Sequence, residues 1–133
     1  MEHYEPLFGP FVILDNGPFD AVYHGRPERA ELIVAFGRSG PLEIELVEWV
    51  AGATPHRDFI RSGREGLQHL RFPVASIHPW VETTAALGYE PVWSGRYLEH
   101  DIEWCYLARP GDPLMIEFVS KCGLEPASPY PSR

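Results

Sequence analysis

The chain has 133 residues with 11 basic and 19 acidic side chains, a formal balance of −8. That length suits one domain with a real core, and 44% apolar with 23% charged residues excludes disorder for most of it. The acidic balance excludes the basic face of a general nucleic-acid or anionic-membrane binder, and no apolar run reaches the roughly 18 residues of a membrane span.

Met1–Phe8 reads as the tail of a helix that stops at Gly9-Pro10. A strand is expected at Phe11–Leu14, then turns at Asn16-Gly17-Pro18 and Gly25-Arg26-Pro27, then strands at Glu31–Phe36 and Leu42–Trp49. Gly37-Arg38-Ser39-Gly40 between the last two is a hairpin turn, since no helix follows to make it a phosphate loop. Thr54 and Pro55 supply the cap and first-turn residue of a short helix. A strand at Leu67–Val74, a helix at His78–Leu87 ended by Gly88, and strands at Glu90–Ser94, Ile102–Ala108 and Leu114–Ser120 follow. The last stretch, 123–133, holds three prolines and little to bury, so a loose tail is expected. Fourteen prolines and twelve glycines fit such short elements. Cys105 and Cys122 form neither a disulfide framework nor a Cys-x-x-Cys site, which points to a reduced, cytoplasmic protein.

An internal repeat is visible. Pro41-Leu42-Glu43-Ile44-Glu45-Leu46-Val47 matches Pro113-Leu114-Met115-Ile116-Glu117-Phe118-Val119 at an offset of 72 (41 to 113). A weaker echo pairs Phe8-Gly9-Pro10-Phe11-Val12 with Leu87-Gly88-Tyr89-Glu90-Pro91-Val92 in the same order. Two copies of a strand–helix–three-strand module are expected, about 1–52 and 64–122 of a single domain over 1–122. Placing Gly88 on Gly9, an offset of 79, puts the counterpart of His69 at position −10, so the first strand of the first module is expected to lie before residue 1.

Strand alternation sorts the faces. Glu45 opposes Leu42, Ile44 and Leu46; Glu117 opposes Leu114, Ile116 and Phe118; His69 and Arg71 oppose a core-directed Leu70, Phe72 and Val74. Each polar residue alone is most simply the solvent face of a half-buried strand. If two modules curl into one open barrel, Glu45, His69 and Glu117 converge, and two carboxylates with an imidazole suit Zn, Ni, Co, Mn or Fe. Cys105 reads as a wall or core filler, and His24, His56, His78 and His100 as solvated turn or helix-start residues. Trp93, Trp104 and Tyr106 pack a core or line an apolar pocket. Arg71 meets either a substrate anion or Glu45 or Glu43.

The segments Ile44-Glu45-Leu46-Val47-Glu48, Pro55-His56-Arg57-Asp58-Phe59, Gly66-Leu67-Gln68-His69-Leu70-Arg71-Phe72 and Ile116-Glu117-Phe118 resemble the vicinal oxygen chelate superfamily, the glyoxalase/bleomycin-resistance fold. The closest likeness is to glyoxalase-like proteins of the branch that includes methylmalonyl-CoA epimerase, and it covers about Tyr4 to Val119. The resemblance implies an α+β fold of two βαβββ modules around a groove. It implies metal ligands at Glu45, His69 and Glu117, with the fourth, a His or Gln, on the expected upstream strand. A truncated chain or a start codon assigned too late is the preferred explanation for that strand, with supply by a partner chain as the alternative. His3 is on the wrong element to replace it. Glu45 separates the chain from the resembling extradiol dioxygenases, which lack that carboxylate. The resemblance thus implies an isomerase, epimerase or lyase, acting on a small carbonyl or acyl-thioester substrate by proton abstraction next to the carbonyl. The metal stabilises the enolate, and Glu45 or Glu117 is the base. Arg71, Trp104 and Tyr106 are the substrate-contact candidates, and a homodimer is expected. The competing class is a non-catalytic small-molecule binder with an incomplete metal site.

Overall fold

The computed structural model describes residues 1–97 and 101–121; His100, Cys122 and the expected tail at 123–133 lie outside the described residues. The elements run α1 (Glu5–Phe8), β1 (Val12–Asp15), β2 (Phe19–Tyr23), β3 (Arg26–Ser39), β4 (Leu42–Ala51), α2 (Pro55–Arg61), β5 (His69–Pro73), α3 (His78–Ala85), β6 (Glu90–Tyr97), β7 (Ile102–Ala108) and β8 (Met115–Lys121). All eight strands join one curled, open sheet, so the α+β expectation holds. Along it run β1 and β2, both on β3, then β6, β7, β8 and β5, while β4 pairs with β3.

β3 is far longer than Glu31–Phe36. Its first part, Arg26–Ala30, pairs with β2, and Ile33–Phe36 pairs with β1. β1 and β2 are separated by Asn16-Gly17-Pro18, where Asp15 Oδ1 accepts from Gly17 N at 3.2 Å. The turn expected at Gly25-Arg26-Pro27 is tighter: Tyr23 faces Arg26, so His24 and Gly25 alone make the loop. Both have positive φ (48° and 76°), the two-residue hairpin geometry that matches strand twist. The next hairpin turns at Gly40-Pro41 and not over Gly37–Gly40, since Ser39 pairs with Leu42. Gly40, at φ 58°, takes the first central position, which L side chains avoid.

β6 and β2 join the two halves of the chain through Ala21–Tyr23 against Trp93–Gly95. In the second half β5 runs parallel to β8, with α3 as the crossover to β6. No strand among the described residues pairs with the other edge of β4.

β7 is buried on both faces, and its alternation builds two cores. Trp104 and Tyr106 pack with Ala21, Ala30 and Trp93, while Cys105 and Leu107 pack with Val74, Ile77 and Phe118. Gly95 sits opposite Trp104 in the β6–β7 ladder, where a Cβ would overlap the indole ring. Leu70 and Phe72 are not core residues: they are about two-fifths exposed, because β5 is an edge strand. Val74 is buried as expected. No helix among the described residues is long and apolar enough to cross a membrane.

Candidate metal centre

Three strands from distant parts of the chain bring three donors together. Glu45 projects from the middle of β4, His69 opens β5, and Glu117 lies mid-β8. The ladders fix their neighbours: Glu45 faces Phe36, and Glu117 faces Arg71 on one side and Tyr106 on the other. His69 Nε2 lies 3.1 Å from Glu45 Oε2 and 3.4 Å from Glu117 Oε2. One donor atom from each residue falls within 4.8 Å of the others.

The electrostatics are those of charges crowded in a poorly hydrated site. Burial pulls the His69 imidazole down, but its hydrogen bonds and charge contacts with Glu117 and Glu45 outweigh that and lift it to about 9. Burial alone would raise the Glu45 carboxyl, yet the His69 contact lowers it below the usual range. Glu117 moves the other way: burial raises it, and the Glu45 charge adds to that against the pull of His69.

The donor set fits a divalent cation. Glu117 Oε2 is buried with only a long 3.4 Å contact to His69 Nε2 and no well-formed hydrogen bond, an undersatisfied state that a cation relieves. The other ring nitrogen of His69, Nδ1, faces Gln68 Oε1 at 2.5 Å, which leaves Nε2 toward the carboxylates. One nitrogen and two carboxylates form the kind of three-ligand set that keeps a position open for substrate or water.

A second layer backs the cluster. The Tyr106 hydroxyl is 3.5 Å from His69 Nε2 and 3.4 Å from His56 Nε2. Burial raises the Tyr106 phenol well above its ordinary value, with the two glutamates adding to the effect, so it stays protonated. His56 corrects the expectation of a solvated residue: it is 5% exposed, its ring packs edge-on to Trp93, and its Nδ1 has no partner. Burial, with help from the His69 charge, depresses it to about 4, so it is neutral. The first turn of α2 points inward, burying Thr54, Pro55 and His56. His24 and His78 are exposed as expected.

Of the substrate-contact candidates, Tyr106 reaches the cluster. Trp104 does not; its neighbours are Tyr97, Trp93 and Phe19. Arg71 is exposed, with its guanidinium 5.0 Å from the Phe36 ring centroid, and its charge helps hold Glu45 low. Glu43, the other expected partner of Arg71, pairs with Arg38 at 2.7 Å. Cys105 is a buried thiol in the second core, raised to about 11 by burial and by the Glu103 and Glu117 charges. A cavity of about 330 Å³ lies against Gln68 and Met115 and is bounded further out by Tyr23, Asp58, Arg64 and Asp112. There the Tyr23 hydroxyl donates to the Asp58 carboxylate.

Gln68 and His56 are the residues that sequence reasoning passed over. Gln68 carried a signal, a polar amide beside the candidate histidine, whereas Thr54-Pro55-His56 carries only the marks of an exposed helix start.

The sequence model of the Glyoxalase/Bleomycin resistance protein/Dioxygenase superfamily matches residues 5–126. No curated protein matches the chain.

Proposed function

Since the chain belongs to the Glyoxalase/Bleomycin resistance protein/Dioxygenase superfamily, we propose that it is a metal-dependent enzyme of the isomerase, epimerase or lyase type. In this reading Glu45, His69 and Glu117 hold one divalent cation, drawn from Zn, Ni, Co, Mn and Fe. The observation that carries it is the convergence of those three donors, within 4.8 Å of one another, on a buried carboxylate oxygen that no well-formed hydrogen bond satisfies.

A cation there supplies Lewis-acid stabilisation of the charge that develops on a carbonyl oxygen as a neighbouring proton leaves. The residues of the chain do the rest. Glu45 is the more accessible of the two carboxylates, so it takes the proton. Glu117, more deeply buried, serves as the second carboxylate of the pair and is the site's other base. Tyr106, held protonated, donates toward substrate oxygen, and the buried aromatic wall behind it keeps bulk water out. Arg71 at the exposed rim meets an anionic substituent. The cavity of about 330 Å³ beside Gln68 gives room for the remainder of a small carbonyl or acyl-thioester substrate. The likeness to the branch around methylmalonyl-CoA epimerase supports that substrate class. The edge of β4 that no described strand pairs favours a homodimer, and the buried free thiol of Cys105 suits the cytoplasm.

A second reading, a small-molecule binding protein of the same fold, is favoured by the filling of the first core with Trp93, Trp104 and Tyr106. One experiment separates them. The protein is dialysed against each of the five metals and analysed for metal content, then incubated in D₂O with acyl-thioesters and 2-oxo compounds while α-proton exchange is followed by NMR. One metal per chain, lost in Glu45→Gln, His69→Ala and Glu117→Gln, with metal-dependent exchange, is the expected result. Uptake without exchange supports the binding protein, and no uptake of any metal sinks the enzyme reading.

A further inference from the structure

The metal-site reading leaves open how His69 presents Nε2, not Nδ1, to the two glutamates. We infer that Gln68 is the positioning residue of this site: its amide oxygen holds the proton on Nδ1 of His69 and thereby keeps Nε2 as the ligand atom.

The Gln68 amide has one accepting and one donating end. Gln68 Nε2 donates to Met115 Sδ at 3.4 Å, and Oε1 lies 2.5 Å from His69 Nδ1. The reversed amide would set its oxygen against the thioether sulfur, acceptor facing acceptor. Its N–H would then demand an unprotonated Nδ1. One orientation satisfies both neighbours. With an oxygen at Nδ1, that nitrogen carries the proton, and a neutral imidazole has only one. Nε2, 3.1 Å and 3.4 Å from the Glu45 and Glu117 oxygens, is then the nitrogen that gives up its proton to a cation held between them.

The backbone locks this bridge in place. Met115 N donates to Gln68 O at 3.1 Å, and His69 faces Met115 in the parallel ladder. The side chain that orients the amide is therefore fixed to the residue that carries it. Met115 is also one of the two positions at which the repeat strands differ, its counterpart being Glu43. The thioether belongs to the second copy alone, the copy that supplies the histidine. Outer partners of metal-bound histidines act in this way, and their loss costs about 10–100-fold in metal affinity.

The test uses the full chain, Zn²⁺ as probe, and three proteins: wild type, Gln68→Leu and Gln68→Glu. Zinc affinity is measured by competition with a chromophoric chelator. Long-range ¹H–¹⁵N spectra of ¹⁵N-histidine-labelled protein read which His69 nitrogen is protonated. Gln68→Leu is expected to bind zinc about 10–100-fold more weakly, whereas Gln68→Glu, which keeps an acceptor, binds at least as tightly as wild type. In zinc-loaded wild type, Nδ1 carries the proton and Nε2 the coordination shift. Coordination through Nδ1, or undiminished affinity in Gln68→Leu, overturns the role of Gln68 while leaving the metal site standing. Failure of the wild type to take up zinc overturns the metal-site reading itself and the inference with it.

Discussion

Strands β4 and β8 carry nearly the same seven residues from Pro41 and Pro113, yet their surroundings differ. β8 is paired on both edges, antiparallel to β7 and parallel to β5, and Ile77 and Trp80 of the α3 region pack on Phe118. Among the described residues β4 pairs with β3 alone, so Leu42 stays exposed and Leu46 is half-buried. The same contrast reaches the two glutamates. Glu117 is buried and its carboxyl is raised; Glu45 is more accessible and its carboxyl is lowered by the shared His69. A duplicated strand therefore supplies chemically different carboxylates, because burial and not sequence sets how each feels the one imidazole between them.

Deleting the matching apolar side chains should show the difference between β4 and β8 most strongly. Phe118→Ala removes a ring that is 4% exposed and is expected to cost about 3–5 kcal/mol. Leu46→Ala, at the same repeat position on a half-covered face, is expected to cost about 1 kcal/mol. Urea unfolding of the two variants measures both. Equal costs would mean that the face of β4 is covered in solution as fully as that of β8.

Acid and alkaline stability probe the imidazoles around the same glutamates. His56 is depressed to about 4 from 6.5 by burial, so its contribution is full above pH 6.5 and is lost as pH falls toward 4. A gap of that size corresponds to a loss on the order of 3 kcal/mol. His69 has the opposite sign in the metal-free protein. It is raised to about 9, so its contribution is full below pH 6.5 and disappears as pH rises from there through 9. Chemical unfolding across pH 4–10 should therefore fall on both sides, with His56→Gln flattening the acid limb and His69→Gln the alkaline one. An acid limb unchanged in His56→Gln would place that imidazole in contact with water.

Much of this arrangement is legible in the sequence wherever the cause is local. β7 follows from the apolar run Trp104–Ala108, and α2 from the Thr54 cap, whose Oγ1 accepts from Arg57 N at 3.1 Å. The convergence of Glu45, His69 and Glu117 was open to reading because the repeat gives two glutamates equivalent places and alternation puts them on one face. What escaped is set by partners distant in sequence. β2 and the first part of β3 lie between Gly and Pro signals and exist as strands by pairing with each other and, for β2, with β6. Alternation told which way Leu70 and Phe72 point, but coverage depends on what lies beyond an edge strand. His56 looks like a surface residue until Trp93 and Tyr106, roughly forty and fifty positions on, close over it.

The other differing repeat position, Glu43 against Met115, gives the finest test. Met115 half-buries itself against the first core, whereas Glu43 reaches into solvent and pairs with Arg38 across the Gly40-Pro41 turn. That ion pair is short, at 2.7 Å, but its side chains are 59% and 38% exposed. Water and salt screen such a pair, and holding two long side chains costs entropy that offsets the attraction. Arg38→Ala is accordingly expected to change stability by less than about 0.5 kcal/mol, and by less still in 1 M salt. A larger loss, read by the same urea unfolding, would show that β4 depends on its hairpin contacts to stay paired, as an edge strand without a second neighbour would.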